Sequence, residues 1–186
     1  LLFTLPAAYA LSRKDLDGRK IIMLMITFTM FFSGGLIPTY ILVIKLGMRN
    51  TMWALIIPGA VSSWNLIVSR IFFQTTIPEE LIDASKIDGC SDIVFFTKIV
   101  LPLSNALIAI MVLFYGVGHW NGFFSALIYL SKEELYPLQL ILRSILIQNE
   151  VSQEMVTDIS AVATQQRIAD LIKYGIIIVA SVPVMI

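Results

Sequence analysis

The sequence predicts an all-α fold, a polytopic bundle of transmembrane helices. Three observations carry that expectation. Hydrophobic residues make up 58% of the 186 positions. Charged residues make up only 14%, against about 25% in soluble domains. Uncharged apolar runs recur along the chain, and they are apolar on all sides rather than at every second position. That last feature argues against a β-barrel, whose strands alternate between lipid and lumen. Inside a bilayer no water satisfies free amides, so helices are the default for such runs.

A span needs about 20 apolar residues to cross roughly 30 Å of hydrocarbon. Leu1 to Leu11 reads as the tail of an earlier span. Ile21 to Ile44 and Thr51 to Ser69 contain no Asp, Glu, Lys or Arg, and each is long enough to cross. Ile99 to Ser131 is uncharged but interrupted at GVGHWNG. It is read as one span from Ile99 to about Gly118, then a re-entrant or interfacial piece through Leu130. Tyr174 to Ile186 opens a final span. The expectation is thus about five spans, whole or partial. The chain starts without Met and stops within GIIIVASVPVMI, so a longer protein interrupted inside an apolar segment at each end is expected. Leu1 to Leu11 has no basic n-region and no small-residue cleavage site, so no signal peptide is read there.

Lys and Arg near span ends set orientation. Arg13, Lys14, Arg19 and Lys20 lie in the first loop; Lys45 and Arg49 in the second; Arg70, Lys86 and Lys98 in the third. Alternation puts the first and third loops in the cytoplasm and the second outside. Lys132 to Lys173 then falls outside and the C-terminus inside.

Several function classes find no support. Net charge is zero, with a pI near 6.8, so nothing in the bulk charge points to nucleic acid. Cys90 is alone, which excludes an intrachain disulfide or a cysteine cluster for zinc. No G-x-x-x-x-G-K-[ST] is present, so this chain has no P-loop for ATP. His119 beside Trp120 reads as an interfacial residue, and no Ser-His-Asp set is convincing; an enzyme is not expected. The expected spans carry no Asp, Glu, Lys or Arg, whereas ion-coupled carriers usually keep an ionisable group there as a relay. Energy for uphill transport would come from another subunit.

The charged middle of the chain is Ile77 to Leu103, IPEELIDASKIDGCSDIVFFTKIVLPL. Thr76 and Glu79 fit a capping box, with Pro78 in the first turn. Gly89 sits where a helix stops. Leu81, Ala84, Ser85 and Asp88 share one side at helical spacing. Glu79 and Asp83 lie near the N-terminus, where negative charge is favoured. Ser91 is a possible cap for a second short helix through Phe95 and Phe96. Pro102 is tolerated if a new helix starts near it. The residues alone leave two readings open: a solvated cytoplasmic linker, or a surface that lets a partner approach closely.

The segment IDASKIDG followed by IVLPL resembles the EAA loop of permeases in binding-protein-dependent ABC importers. Asp83, Ala84 and Ser85 stand at the E-A-A positions, Gly89 at the glycine, and Leu101 with Pro102 at the L-P. Asp83 replaces Glu and Ser85 replaces Ala, keeping charge and small size. SRKDLDGR, LGMRNTMWALIIP and GHWNGFFSALIYL…YPLQ resemble the carbohydrate branch of maltose-type permeases, over nearly the whole chain. FSGGLIPTYILVIKLGM is most similar to permeases for polysaccharide-derived oligosaccharides such as uronate-rich fragments.

The resemblance implies one type I ABC transmembrane domain over 1–186, with a cytoplasmic coupling loop at 76–98. It implies a multi-pass subunit of the cytoplasmic membrane that imports a sugar or oligosaccharide. ATP with magnesium would be used by a separate cytoplasmic ATPase, and no cofactor is expected in this chain. A second homologous permease, or a second copy, and an extracytoplasmic solute-binding (lipo)protein are the other implied partners, besides lipid. Asp83, Ala84, Ser85, Asp88, Gly89, Leu101 and Pro102 would couple to the ATPase. For the substrate pathway, sugars are held by hydrogen bonds and aromatic faces. Candidates are Trp64 and Asn65 beside Ser62 and Ser63, and Tyr115, Trp120 and Asn121. The plainer alternatives are polar helix contacts for Asn65 and an interface anchor for Trp120. Gly34, Gly35 and Pro38 mark either a kink or a discontinuous helix. Rival functions are a permease for amino acids or another solute, and an ATP-independent channel or accessory subunit.

Overall fold

The structure is a computed structural model that describes residues 1–154 and 159–185. Among these residues every regular element is helical. They group into two units, Leu1–Met48 with Trp53–Gly116, and Arg49–Met52 with Val117–Ile186.

In the first unit α1 is Thr4–Ser12, α2 Arg19–Phe31 and α3 Leu36–Lys45. A four-residue α4, Trp53–Ile56, precedes α5, Ser63–Thr76. The charged middle forms α6, Glu79–Ile87, and α7, Asp92–Phe95. A π-helical turn, Phe96–Val100, leads into the short α8, Leu101–Leu103, and then α9, Asn105–Trp120, which continues into the second unit.

The core of the first unit forms where α1 meets α5. Ala8 and Ser69 are fully buried and small, which lets helix backbones approach closely. Around them lie Leu5, Leu11, Leu66, Phe73, Phe95, Val100, Leu107 and Met111. Tyr9 is the aromatic hub. Its ring meets Phe73 edge-on at 5.9 Å and lies 5.1 Å from Phe96. By contrast, α2 buries none of its residues and exposes Leu24, Phe28 and Phe31. Such broad apolar exposure suits a helix meant for lipid or another subunit.

Several expected spans are built differently. Ile21 to Ile44 is not one rod: α2 and α3 meet at 113° across Phe32–Gly35. Gly35 holds φ +84° and ψ 176°, a conformation open essentially to glycine alone. Thr51 to Ser69 is not one helix either. Pro58 cannot donate to a helical ladder, and the chain turns between α4 and α5 instead. Helix α5 starts at Ser63, capped by Ser62 accepting from the Asn65 amide at 3.4 Å. It then runs past Arg70, where a loop was expected. Arg70 Nε donates to the Leu11 carbonyl at 3.0 Å, so its charge is satisfied at the end of α1. Asp92–Leu103 and Asn105–Trp120 meet at 83°. Ser104 stands at that bend, buried, with Oγ donating to the Val100 carbonyl at 2.8 Å. Pro102 follows the π turn, in which the Leu101 amide reaches back to the Phe96 carbonyl.

In the second unit α10 is Phe124–Tyr129, followed by a 3-10 turn, Glu133–Leu135, then α11, Leu138–Glu154, and α12, Ile159–Met185. Helix α10 fits the expected short piece before Leu130. Asn50 Oδ1 accepts from the Ser131 amide at 2.5 Å, and the Asn50 amide donates to Tyr129. Residues 132–173, expected as an outside segment, hold most of two packed helices, with 155–158 outside the described residues. The last apolar helix is long enough to cross over Arg167–Met185, starting well before Tyr174 and taking in Asp170 and Lys173. Its expected end at Ile186 lies outside the described residues. Among the described residues this is the one single helix that could cross a membrane by length and composition, or one of three if each bent pair counts as a span.

Candidate functional site

Helix α6 is short and its ends are strongly specified. Ile77 is buried and extended, and Pro78 at φ −65° sets the entry. The Pro78 position carries no side-chain cap. Thr76 closes α5 rather than opening α6, so the expected capping box with Glu79 does not form. The Ile77 amide is already used by the Phe73 carbonyl, which keeps Thr76 within the preceding helix. Glu79 and Glu80 instead meet the positive end of the helix dipole, and Lys86 the negative end.

The C-terminus is a Schellman motif. Gly89 takes φ +68°. Its amide donates to the Lys86 carbonyl at 3.1 Å, and the Cys90 amide to the Ser85 carbonyl at 2.9 Å. A Cβ at Gly89 would meet nothing within 4 Å, so only the backbone conformation calls for glycine here. Ser91 then caps α7, accepting from the Val94 amide at 3.4 Å.

The side chains of α6 divide into two faces. Ile82 packs on the core, and Ser85 is buried with Oγ donating to the Ile82 carbonyl at 2.7 Å. Ser85 therefore leaves the outward side it was expected to share with Leu81, Ala84 and Asp88. Helical spacing places residue 85 beside 82 as readily as beside 81, and the core claims it. Asp83, Ala84, Asp88 and Gly89 are exposed, as are Leu81 and Ile87; Ile87 is 86% exposed. Leu101 packs against the core and Pro102 is exposed.

A charged frame ties α6 to the segment after α1. Arg13 Nε and Nη2 donate to Asp15 at 2.8 and 2.5 Å. Arg13 Nη1 donates to Asp92 Oδ1 at 2.6 Å and to the Tyr9 hydroxyl at 3.3 Å. Lys14 pairs with Glu79, and Lys86 lies 3.6 Å from Asp15. Hydrogen bonding from Arg13 holds the Asp15 carboxyl well below the usual carboxylate range, and the same bond raises the Arg13 guanidinium above its own. Arg13, Lys14 and Lys86 entered the sequence reading as loop charges that set orientation and Glu79 as a helix-start residue, while Asp15 and Asp92 were given no role. The alternation of both signs within SRKDLD was the available signal for an ion-pair frame.

The pathway candidates separate. Asn65 is buried on the stripe of α5 that carries Leu66, Ser69 and Phe73, while Trp64 beside it is exposed. Tyr115 is a knot: its hydroxyl lies 2.7 Å from Thr4 Oγ1 and accepts from the Ser62 amide at 3.1 Å. In the second unit Trp120 Nε1 donates to the Ala180 carbonyl at 3.0 Å, and Asn121 is exposed. Among the described residues no group of His, Cys, Asp and Glu is arranged to hold a metal ion.

Bent apolar helices, joined by a short, charged and largely exposed helix, define a helical membrane component. Residues 2–186 match the family described as binding-protein-dependent transport system inner membrane component, and the chain belongs to that family. It is 45% identical over 180 residues to the polygalacturonan/rhamnogalacturonan transport system permease protein YtcP of Bacillus subtilis (strain 168), covering 96% of this chain and 62% of that protein. It is 42% identical to Protein LplC of the same organism, covering 100% of this chain and 61% of that one. The arabinooligosaccharides transport system permease protein AraQ of Halalkalibacterium halodurans is 33% identical over 78% of this chain and 53% of its own. A crystal structure of a bacterial ABC transporter involved in importing the acidic polysaccharide alginate contains a chain of like fold, with TM-score 0.84 and 28% identity over 100% of this chain and 65% of that one. The chain thus spans about three fifths of the length of these first two relatives.

Proposed function

We propose that this chain is part of the membrane-spanning permease subunit of an ATP-driven importer, and that it carries oligosaccharide fragments of acidic polysaccharides. Energy comes from a separate cytoplasmic ATPase, which uses ATP with magnesium. A second permease subunit completes the pathway, and an extracytoplasmic binding protein delivers the solute. The observation that carries this reading is α6: a helix of three turns or fewer, fixed at its C-terminus by a Schellman motif, presenting exposed Leu81, Asp83, Ala84, Ile87 and Asp88. Exposed apolar side chains among charges are costly to leave in water and are typical of a docking surface. The ATPase is proposed to close on that surface, and Leu101 and Pro102 to pass the motion towards α9 beyond the π turn. Ser85 contributes from the inside, by seating α6 on the core. Alternating access would be relative motion of helix groups about a central site. The names of YtcP and of the alginate importer support an acidic oligosaccharide as cargo. Trp64, Trp120 and Asn121, being wholly or partly accessible, are the better placed of the pathway candidates, with Asn65 and Tyr115 supporting them.

The test is Gly89→Arg in the full-length protein. It is expected to reach the membrane at normal levels and to abolish solute uptake. Normal uptake by that variant would remove the docking assignment. Uptake of labelled oligogalacturonides against neutral maltooligosaccharides then tests the cargo, with uptake of the acidic ligand expected.

A further inference from the structure

Arg13 lies outside the proposed docking surface, yet it is the most constrained charge near it. Its side chain is 11% exposed, while the side chains of its partners Asp15 and Asp92 are 51% and 75% exposed. Three charge-assisted hydrogen bonds, a two-pronged contact with one carboxylate and a single bond to another, fix the orientation of this nearly buried guanidinium. The cation also sits 6.0 Å from the centre of the Tyr9 ring, the hub of the core. Its two carboxylates come from different places. Asp15 follows α1, and Asp92 is the first residue of α7, immediately after the α6 cap.

The neighbouring charges extend this contact along α6. Lys14 reaches Glu79 at the start of the helix, and Asp15 reaches Lys86 near its end. These two pairs are exposed and individually weak. Residues 13–15 therefore touch α6 at both ends and α7 at its start. The same stretch is anchored from behind: Arg70 of α5 donates to the Leu11 carbonyl and Arg19 to the Arg13 carbonyl at 3.0 Å. Packing does not fill all the space here. An open cavity of about 530 Å³ has Arg13, Asp15 and Asp92 in its lining, beside Ala10, Ile93 and Phe96.

We propose that residues 13–15 form a strap, with Arg13 as its positioning residue, that makes the ends of α1, α6 and α7 move as one body when a partner pushes on α6. The proposal deepens the permease reading and rests on it. Without the strap, a push on α6 is absorbed in the open space beside α7 and is not passed to α1 and α5.

The test uses the intact transporter in proteoliposomes, reading ATP hydrolysis and solute uptake separately. Arg13→Gln and, independently, Asp92→Asn are made in the full-length permease. Both are expected to retain the ATPase on purification and to keep its hydrolysis rate, while solute moved per ATP falls about tenfold for Arg13→Gln and several-fold for Asp92→Asn. Asp92 is exposed, so its variant removes one bond without threatening the fold. An unchanged ratio in both variants overturns the strap. In a Cys90→Ser background, Lys14→Cys with Glu79→Cys is bridged by a short bismaleimide. A rigid strap is expected to keep transport after bridging, and transport lost on bridging overturns it. Failure of the permease reading looks different, because no ATPase would then purify with the unmutated protein.

Discussion

At the scale of single residues, Gly89 separates backbone strain from docking. A Cβ there meets nothing, but φ is +68°. Gly89→Ala is expected to cost about 1 kcal/mol of stability and to leave uptake largely intact, whereas Gly89→Arg blocks it; thermal melting beside uptake checks the pair. Asp15 gives a pH signature. Its carboxyl is held low, first by the Arg13 hydrogen bond, so folding favours its ionised form. The stabilisation is complete above about pH 4, the ordinary aspartate value, and is lost as pH falls through the lowered one. Because Asp15 is half-exposed, its worth is about 1 kcal/mol or less. Asp15→Asn is expected to lower the melting temperature slightly at pH 7, with the difference narrowing progressively as pH falls below about 4. Gly89 could be read from the sequence because its demand is local: a helix pattern ends and only glycine takes φ > 0 cheaply. Arg13 could not, because Asp92 lies far along the chain and only the fold brings them together.

At the scale of elements, composition identified the apolar runs but not their bends. A run without charges reads as a rod, yet α2 and α3 meet at 113° through Gly35. The Gly-Gly and Pro38 marks were visible, but a kink and a broken helix look alike until φ and ψ are known. Gly35→Ala forces a side chain into the glycine-only region and is expected to cost about 1–3 kcal/mol, seen as a lower melting temperature in detergent. Helix α5 shows the opposite failure. Arg70 looked like the end of a span, but the Leu11 carbonyl receives it and the helix continues. Tyr115 links three segments through one hydroxyl. Tyr115→Phe leaves Thr4 and the Ser62 amide without that partner, and a loss of about 1–2 kcal/mol is expected in the same melting assay. The α6 face was half legible. Leu81, Ala84 and Asp88 followed from helical spacing, but Ser85 turned inward because Ile82 and the core settle the rotation of the helix.

At the scale of the whole molecule, the all-helical membrane class was legible because it rests on composition, which long-range contacts cannot alter. The two units and their boundary within α9 were not, since no linker composition marks them. The proposed function turns on one relation, that between α6 and an energy source outside the chain. The central claim is that this permease moves solute only when a separate ATPase drives α6. Uptake of an acidic oligosaccharide into proteoliposomes, measured with the full-length permease subunits and binding protein in the presence or absence of the ATPase and ATP, tests it most directly. Uptake is expected only when the ATPase and ATP are both present. Flux at the same rate without them would contradict the claim.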